Sequence, residues 1–177
     1  MSIRTALAGD ADDIASIYAP IVRDTAISFE LDPPGGNEMR SRIQECLKRL
    51  PWLVSLDDAH KVNGYAYASR HRERQAYRWS VDATVYVRDD SRGRGIAGRL
   101  YSALFDELLK LGYFQAFAGI TLPNAASSAL HQSVGFELVG VYRNVGFKHG
   151  IWHDVSWWQK SLQPPAIPRE PSAFESI

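Results

Sequence analysis

The chain has 177 residues, of which 45% are hydrophobic, and this amount of apolar material predicts one substantial core. Its 20 basic and 20 acidic residues balance, so net charge favours neither a nucleic acid, nor an anionic membrane, nor an acidic substrate as a partner. Cys46 is the only cysteine, which excludes an intrachain disulfide. With no signal-peptide pattern and no apolar run near the roughly 18 residues of a membrane span, the sequence favours a cytoplasmic protein.

The first half of the chain predicts a short strand, two helices and a hairpin. A strand near residues 3–6 is followed by a helix that begins after Asp10, and Pro20 predicts a kink or an early end there. A second helix is expected from about residue 37 to 50 after a turn rich in proline and glycine. The strand-like segments 52–56 and 62–69 then predict a hairpin.

The second half mixes strands and helices. Residues 80–87 read as a strand that places Asp82, Thr84 and Tyr86 on one face, and an amphipathic helix follows from Ile96 to a C-cap at Gly112. Further strands are expected at 114–122, 136–142 and 151–162, with a helix at 124–135. The order predicts an α/β fold of the mixed α+β kind, a sheet flanked by helices over residues 1–163, with a proline-rich tail at 164–177.

The stretch DDSRGRGIAG, residues 89–98, lies between the 80–87 strand and the long helix. Glycines here allow a ligand to approach backbone N–H groups at a helix N-terminus, which predicts an anion site suited to phosphate. The stretch lacks the Gly-Lys-Ser/Thr ending of a nucleotide triphosphate loop and the glycine triplet of a dinucleotide fold. A tight turn with solvated arginines is the alternative.

The arginine and glycine spacing in residues 92–97 resembles the pyrophosphate loop of the Gcn5-related N-acetyltransferase (GNAT) superfamily. The strand motif 85–87 before it and the helix 124–136 ending in Gly-Phe fit the same superfamily pattern. A narrower resemblance covers most of the chain: LPWLVSL, AYRWSVDATVYV and above all GFKHGIWHDVSWWQ are similar to the phosphinothricin acetyltransferase family, which includes methionine sulfoximine acetyltransferases. The resemblance implies the GNAT fold, with a central mixed and mostly antiparallel sheet.

The resemblance also implies that the protein binds acetyl-CoA as co-substrate. Backbone amides of the glycine loop would hold the pyrophosphate, and the 85–87 strand would pair with the pantetheine amides. Asn124 is expected to bond the cofactor, although an N-cap role after Pro123 is equally compatible with it. The predicted cofactor contacts are Val85, Tyr86, Val87, Arg92, Gly93, Arg94, Gly95, Ile96, Ala97, Gly98, Asn124 and Ser127.

Acetyl transfer to an amine needs a base, because the amine is mostly protonated at neutral pH. Asp82 is the candidate, directly or through a water, and relatives typically have the longer Glu there; a structural hydrogen-bond network is the alternative role. His131 is the second candidate, as an acid for the departing thiolate or as a base. A backbone N–H of Tyr86 or Val87 would stabilise the tetrahedral oxyanion.

The resemblance places acceptor contacts at Phe29, Arg72, Arg74 and Tyr77, with Thr84 added because it shares a face with Asp82. Guanidinium groups in the run RHRER suit a carboxylate or phosphinyl group, although such runs are usually solvated turns. His149 and His153 do not share a helical face and lack further ligands, so no metal site is predicted. His153 and Asp154 are expected to fix a turn or to form part of a homodimer contact.

The sequence thus predicts an N-acetyltransferase that uses acetyl-CoA to acetylate a small amino-acid-like acceptor of the phosphinothricin or methionine sulfoximine type. Another small amine or a protein N-terminus is the enzymatic alternative. Two alternatives belong to other functional classes. One is a non-catalytic acyl-CoA-binding module, and the other is a nucleic-acid-binding protein that uses the basic stretches 70–74 and 88–99.

Overall fold

The computed structural model describes residues 2–174, and these form one seven-stranded sheet with four α-helices around it. None of the described helices is long and apolar enough to cross a membrane. The strands are β1 Ser2–Thr5, β2 Trp52–Leu56, β3 Val62–Arg70, β4 Ser80–Val87, β5 Gln115–Thr121, β6 Glu137–Lys148 and β7 Ile151–Ser161. The helices are α1 Ala11–Asp24, α2 Gly36–Leu47, α3 Ile96–Lys110 and α4 Ala125–Ser133.

The sheet has the order β1-β2-β3-β4-β5-β7-β6. Every neighbouring pair is antiparallel except β4 and β5, which run parallel. This parallel pair requires a crossover, and α3 supplies it. The predicted α/β fold with a mixed, mostly antiparallel sheet is confirmed, as is the predicted β2–β3 hairpin.

The two faces of the sheet carry two separate cores, and β4 contributes to both. Val81 and Ala83 pack with the apolar stripe of α3, whereas Tyr86 packs against the cluster formed by α1 and α2. This confirms the predicted alternation along β4, which follows from side chains of a strand pointing to opposite faces in turn. The face that carries Asp82 is therefore opposite to the face that α3 covers.

Three boundaries differ from the sequence-based expectation by three residues or more, and the first is the end of α2, which lies at Leu47 instead of about residue 50. The early end of α1 at Pro20 is wrong, because α1 continues to Asp24. Ile21 and Val22, which follow the proline, are buried in the core, and this packing holds the last turn in place. β6 is longer than predicted because its pairing with β7 continues to Lys148, opposite Ile151.

The described part of the tail, residues 164–174, lies along the surface without helix or strand. The indole N–H of Trp79 donates to the carbonyl of Arg169 at 2.6 Å, and the N–H of Ser172 donates to the carbonyl of Leu111 at 2.9 Å. Phe174 is buried beside Arg49, whose carbonyl its N–H contacts at 3.2 Å. The tail therefore wraps the surface, while the division of the chain at residue 163 stays a prediction.

A buried lysine joins the β6–β7 hairpin to the segment between α1 and α2. Lys148 is 4% exposed, and its ammonium donates to the carbonyls of Val22, Ser28 and Glu30 at 2.6, 2.7 and 2.7 Å. Burial lowers the pKa of this lysine, because the charged form loses hydration. Three carbonyl partners satisfy all three ammonium donors, so the contact fixes the segment that begins where α1 ends.

Replacing this lysine by methionine tests the role of the contact. Lys148→Met leaves buried carbonyls without a donor, so we expect it to lower the free energy of unfolding by about 3 kcal/mol. Urea unfolding followed by circular dichroism measures the change. The control Lys61→Met, at an exposed position of the β2–β3 turn, should stay within about 0.5 kcal/mol of the parent. Equal effects of the two substitutions would contradict the proposed anchoring role.

Candidate active site

The site begins where the two parallel strands separate. β4 and β5 pair only at Ser80↔Gln115, Val81↔Ala116 and Asp82↔Phe117, although both strands continue beyond these positions. β7 pairs with β5 along its whole length, but on the opposite edge of that strand. A gap therefore opens in the middle of the sheet immediately after Asp82.

A cavity of about 250 Å³ occupies this gap. β4 contributes its Asp82–Tyr86 stretch to the wall, and β5 contributes the segment 118–121 from the other side. Polar side chains from outside the two strands complete it, among them His131 of α4 and Trp157 of β7. The indole nitrogen of Trp157 is buried and has no hydrogen-bond partner among the described residues.

Asp82 lines the cavity and is bound to a histidine outside it. Its carboxylate oxygen Oδ1 lies 2.6 Å from Nδ1 of His71, and its side chain is 27% exposed. Burial raises the pKa of Asp82, while the hydrogen bond from His71 and the charges of His71 and Arg72 act in the opposite direction; the net shift is upward. A carboxylate whose pKa is raised is a stronger proton acceptor than an ordinary aspartate.

His131 lies buried on α4 at the other side of the cavity. Its Nδ1 donates to the carbonyl of Ser127 at 2.8 Å, which leaves Nε2 as an acceptor for the Tyr101 hydroxyl at 2.9 Å. Burial lowers the pKa of His131, which favours the neutral imidazole. Burial also raises the pKa of Tyr101, so this hydroxyl keeps its proton.

A second cavity of about 580 Å³ adjoins the first and extends over the glycine loop. Gly93 and Gly95 have φ angles of 74° and 72°, a left-handed backbone that favours glycine, and Gly95 is the N-cap of α3. All the predicted cofactor contacts except Arg94 line this cavity, namely Val85, Tyr86, Val87, Arg92, Gly93, Gly95, Ile96, Ala97, Gly98, Asn124 and Ser127.

The loop and the start of α4 are held by their own hydrogen bonds. The carbonyl of Arg94 accepts from the Arg99 guanidinium at 2.9 Å, and Arg92 pairs with Asp89 at 2.7 Å on the surface. The side-chain oxygen of Asn124 accepts from the N–H of Ser127 at 3.0 Å, so the predicted N-cap role of Asn124 is confirmed.

The register of β4 distinguishes between the two predicted backbone donors. The N–H of Arg88 donates to the carbonyl of Asn63, and the pairing of β4 with β3 is regular up to Val87. Because N–H groups alternate between the two sides of a strand, the N–H of Tyr86 faces β3 and that of Val87 faces the gap. The geometry thus favours Val87 over Tyr86 as the donor to an oxyanion. The Tyr86 ring packs against Tyr18 and Tyr65.

The structure brings three of the predicted acceptor contacts near Asp82. Thr84 lines the cavity, the guanidinium of Arg72 lies 5.6 Å from the Trp157 ring, and Tyr77 contacts the edge of His71 with ring centroids 6.1 Å apart. Phe29 does not line the cavity. It packs instead against Gly146 of β6, so closely that a Cβ on Gly146 would overlap the Phe29 ring. Arg74 is exposed where the 75–77 turn begins.

Comparison with known proteins is consistent with this geometry. Residues 3–157 match the family of acetyltransferase (GNAT) domains. The chain belongs to the GNAT acetyltransferase family. It is 34% identical to phosphinothricin N-acetyltransferase of Streptomyces viridochromogenes over 169 residues, which cover 96% of this chain and 92% of that relative.

Two further relatives are similar over almost their whole lengths. The L-methionine sulfoximine/L-methionine sulfone acetyltransferase of Pseudomonas aeruginosa is 35% identical over 92% of this GNAT chain and 95% of its own. The crystal structure of a phosphinothricin acetyltransferase from Sinorhizobium meliloti in complex with acetyl-CoA superposes with a TM-score of 0.89 at 35% identity, covering 99% of this chain and 98% of that one. The protein is accordingly an acetyl-CoA-dependent N-acetyltransferase.

The sequence did not identify three residues as part of this GNAT site: His71, Tyr101 and Trp157. His71 stands in a basic run that resembles a solvated turn, and Tyr101 and Trp157 fit apolar stripes. Counting the β3–β4 register would have placed Ser69 opposite Asp82, with His71 two residues further on. No comparable sequence signal pairs Tyr101 with His131, because α3 and α4 meet only through the tertiary fold.

The two histidines of the β6–β7 hairpin, His149 and His153, lie at or next to its turn. His149 is in the left-handed region with a φ of 53°, and Nε2 of His153 lies 3.0 Å from the carbonyl of Lys148. The predicted turn-fixing role is confirmed for His153; Asp154 accepts instead from the N–H of Asn144 at 2.8 Å, within the register shift of β6 and away from the turn. No metal-binding cluster of His, Cys, Asp and Glu occurs within residues 2–174.

Gly95 offers a test of the loop in this GNAT enzyme. Gly95→Ala forces an alanine into the left-handed region at a cost of about 1–2 kcal/mol, so we expect the loop to shift and the Kd for acetyl-CoA to rise about tenfold. Isothermal titration calorimetry measures this constant. The control Gly140→Ala adds a Cβ into open space on β6 and should leave the Kd unchanged. A Kd within twofold of the parent for Gly95→Ala would contradict the loop's role.

Proposed function

We propose that this enzyme acetylates the α-amino group of small amino-acid-like acceptors, with L-phosphinothricin, methionine sulfoximine and methionine sulfone as the leading candidates. The observation that carries the proposal is the position of Asp82 at the opening of the gap, beside Arg72 and next to the cavity over the glycine loop. The names of the relatives, which match this chain over nine tenths of its length, supply the chemical class of the acceptor.

Asp82 acts as the general base of the reaction. It removes a proton from the acceptor ammonium, directly or through one water, and the free amine then attacks the thioester carbonyl. The raised pKa of Asp82 suits this task, because it increases the affinity of the carboxylate for the proton. Because the side chain of Asp82 is one methylene shorter than that of glutamate, proton transfer through a water is favoured over direct contact with the amine.

The backbone N–H of Val87 stabilises the oxyanion of the tetrahedral intermediate, because this N–H faces the gap. One well-aimed donor of this kind contributes about 3 kcal/mol to transition-state stability. The position of the glycine loop after β4 supports placing the CoA pyrophosphate at the N-terminus of α3, where backbone N–H groups and the helix dipole favour an anion. The 85–87 segment then lies next to the pantetheine.

His131 and Tyr101 form a neutral pair beside the reacting thioester. His131 donates through Nδ1 to Ser127 and accepts through Nε2 from Tyr101, and the raised pKa of Tyr101 keeps the proton on its hydroxyl. The departing thiolate leaves without a proton from this pair, because a thiol pKa near 8.5 makes it a tolerable leaving group. We assign His131 to fixing Tyr101 in this position.

The acceptor's acidic groups meet donors on the Trp157 side of the cavity. The guanidinium of Arg72 lies over the Trp157 ring, and the Trp157 indole N–H lacks a partner within the described chain. A carboxylate or a phosphinyl oxygen of the acceptor would pair with the Arg72 guanidinium in a charge-assisted hydrogen bond. This arrangement favours an amino acid with a second anionic or strongly polar group over a polyamine.

An acceptor panel tests the proposed function. Acetyl-CoA-dependent thiol release is measured with L-phosphinothricin, methionine sulfoximine, methionine sulfone, the common amino acids, spermidine and a peptide with a free N-terminus. We expect kcat/KM for the first three to exceed that for every other compound by at least about tenfold, because they are the acceptors named for the relatives that match almost the whole chain. A preference for spermidine or for the peptide would overturn the proposed acceptor class. Binding of acetyl-CoA without any turnover would indicate a non-catalytic module.

We also propose that the enzyme is a homodimer that forms through the β6–β7 hairpin. β6 is an edge strand, and exposed apolar residues lie along it beside the charged Glu137 and Arg143. The side chains of Val139, Phe147 and Trp152 are 61%, 57% and 61% exposed. An apolar surface of this kind marks an interaction site, and a second copy offers a self-complementary partner.

Light scattering coupled to size-exclusion chromatography tests the dimer. The parent protein should elute with about twice the mass of the chain, and Val139→Lys combined with Phe147→Lys should give the monomer mass, because two buried charges per copy oppose association. Ile167→Lys, at a 99% exposed position of the tail, is the control and should leave the mass unchanged. A monomeric parent protein would refute the proposal.

A cytoplasmic location of the enzyme stays a prediction.

A further inference from the structure

His71 has no role in the chemistry described so far, yet its ring is held from several sides. It follows directly after β3 and stacks on Phe117 of β5, with ring centroids 4.1 Å apart and planes 13° apart. The rings of Tyr77 and Trp157 lie at steep angles to it, with centroids 6.1 and 6.2 Å away. The side chain is only 9% exposed. A ring confined in this way has a fixed orientation relative to β4.

This fixed ring bonds one oxygen of Asp82 and leaves the other available. Nδ1 of His71 must carry the hydrogen, because an ionised carboxylate only accepts. Oδ2 of Asp82 has no hydrogen-bond partner among residues 2–174, and Asp82 is one of the residues that line the cavity. The hydrogen bond holds the Asp82 carboxylate in one rotamer, in which Oδ1 is bound to His71 and Oδ2 remains available.

We propose that His71 is a positioning residue for the reaction, and that it orients Asp82 and stabilises its ionised form so that Oδ2 receives the proton of the acceptor amine. The inference rests on the proposed function of Asp82 as general base. It adds a residue that touches neither acetyl-CoA nor the acceptor and acts only through Asp82.

The proton balance of the step is simple. One proton leaves the acceptor ammonium and forms the O–H bond at Asp82, directly or through a water; the amine nitrogen then forms its bond to the acetyl carbon. The second proton lost by that nitrogen leaves with the departing thiolate or passes to solvent as the C–S bond breaks. His71 keeps its Nδ1–H throughout, and the hydrogen bond it donates is strongest while Asp82 is ionised.

The charged groups acting on Asp82 are few. His71 and Arg72 both lower its pKa, and they oppose the effect of burial. The other titratable side chains that border His71 or the cavity are Tyr77, Tyr86, Tyr101 and His131. Removing the hydrogen bond from His71 therefore raises the pKa of Asp82 further, and less of the carboxylate is ionised at any given pH. The acidic limb of the pH profile should move to higher pH.

Two substitutions separate orientation from packing. His71→Phe preserves a ring on Phe117 but has no donor, whereas His71→Asn places an amide N–H close to the position of Nδ1 but loses the stacking ring. We expect His71→Phe to lower kcat at least about tenfold and to move the acidic limb of kcat, measured at saturating acceptor, upward by about one pH unit. His71→Asn should recover most of both. A purely packing role predicts the opposite order, with Phe close to the parent and Asn impaired.

The same assay with Asp82→Asn keeps the two proposals distinguishable. We expect Asp82→Asn to lower kcat at least about 100-fold, with Asp106→Asn, an exposed acid on α3, as the unaffected control. Full activity of Asp82→Asn would refute the base itself. An impaired Asp82→Asn combined with an unshifted His71→Phe would refute only the role of His71. Acetyl-CoA titration shows which variants are folded. His71→Leu, which also has no donor, replaces His71→Phe if the latter fails to fold.

Discussion

The separation of β4 from β5 is the constraint on which the site depends. β4 and β5 pair only as far as Asp82 and Phe117 and then part, while β7 pairs along the whole of β5 on its other side. The backbone groups on the gap side of β4 are thereby left without a partner strand. Unpaired N–H and C=O groups in an interior are costly, so this gap is a place for a ligand with amide groups of its own.

Alternation along β4 links the fold to the chemistry. One set of its side chains packs under α3 and makes the core, and the other set carries Asp82 and Thr84 into the cavity. The backbone alternates as well, which is why the N–H of Val87 and not that of Tyr86 faces the gap. A shift of one residue in the β3–β4 register would lose the core and the site together.

The surroundings of Asp82 come from three separate parts of the chain. His71 and Arg72 follow directly after β3, Phe117 lies on β5, and Trp157 lies on β7. The buried lysine at the end of β6 fixes the segment that follows α1, and this segment supplies Ile27 to both cavities. A network assembled from distant segments is rigid only once the whole sheet has formed, and this fits a base whose orientation must be precise.

The sequence by itself determined the fold class, nearly all the helices and strands, the glycine loop and the candidate base Asp82, because these depend on periodicity and on local motifs. Local signals failed at Pro20, where burial of Ile21 and Val22 outweighs helix-breaking. Only the tertiary structure brought His71 against Asp82 and Tyr101 against His131, because each pair joins residues on different elements. The choice between Val87 and Tyr86 likewise depends on strand register, which no single segment of sequence encodes.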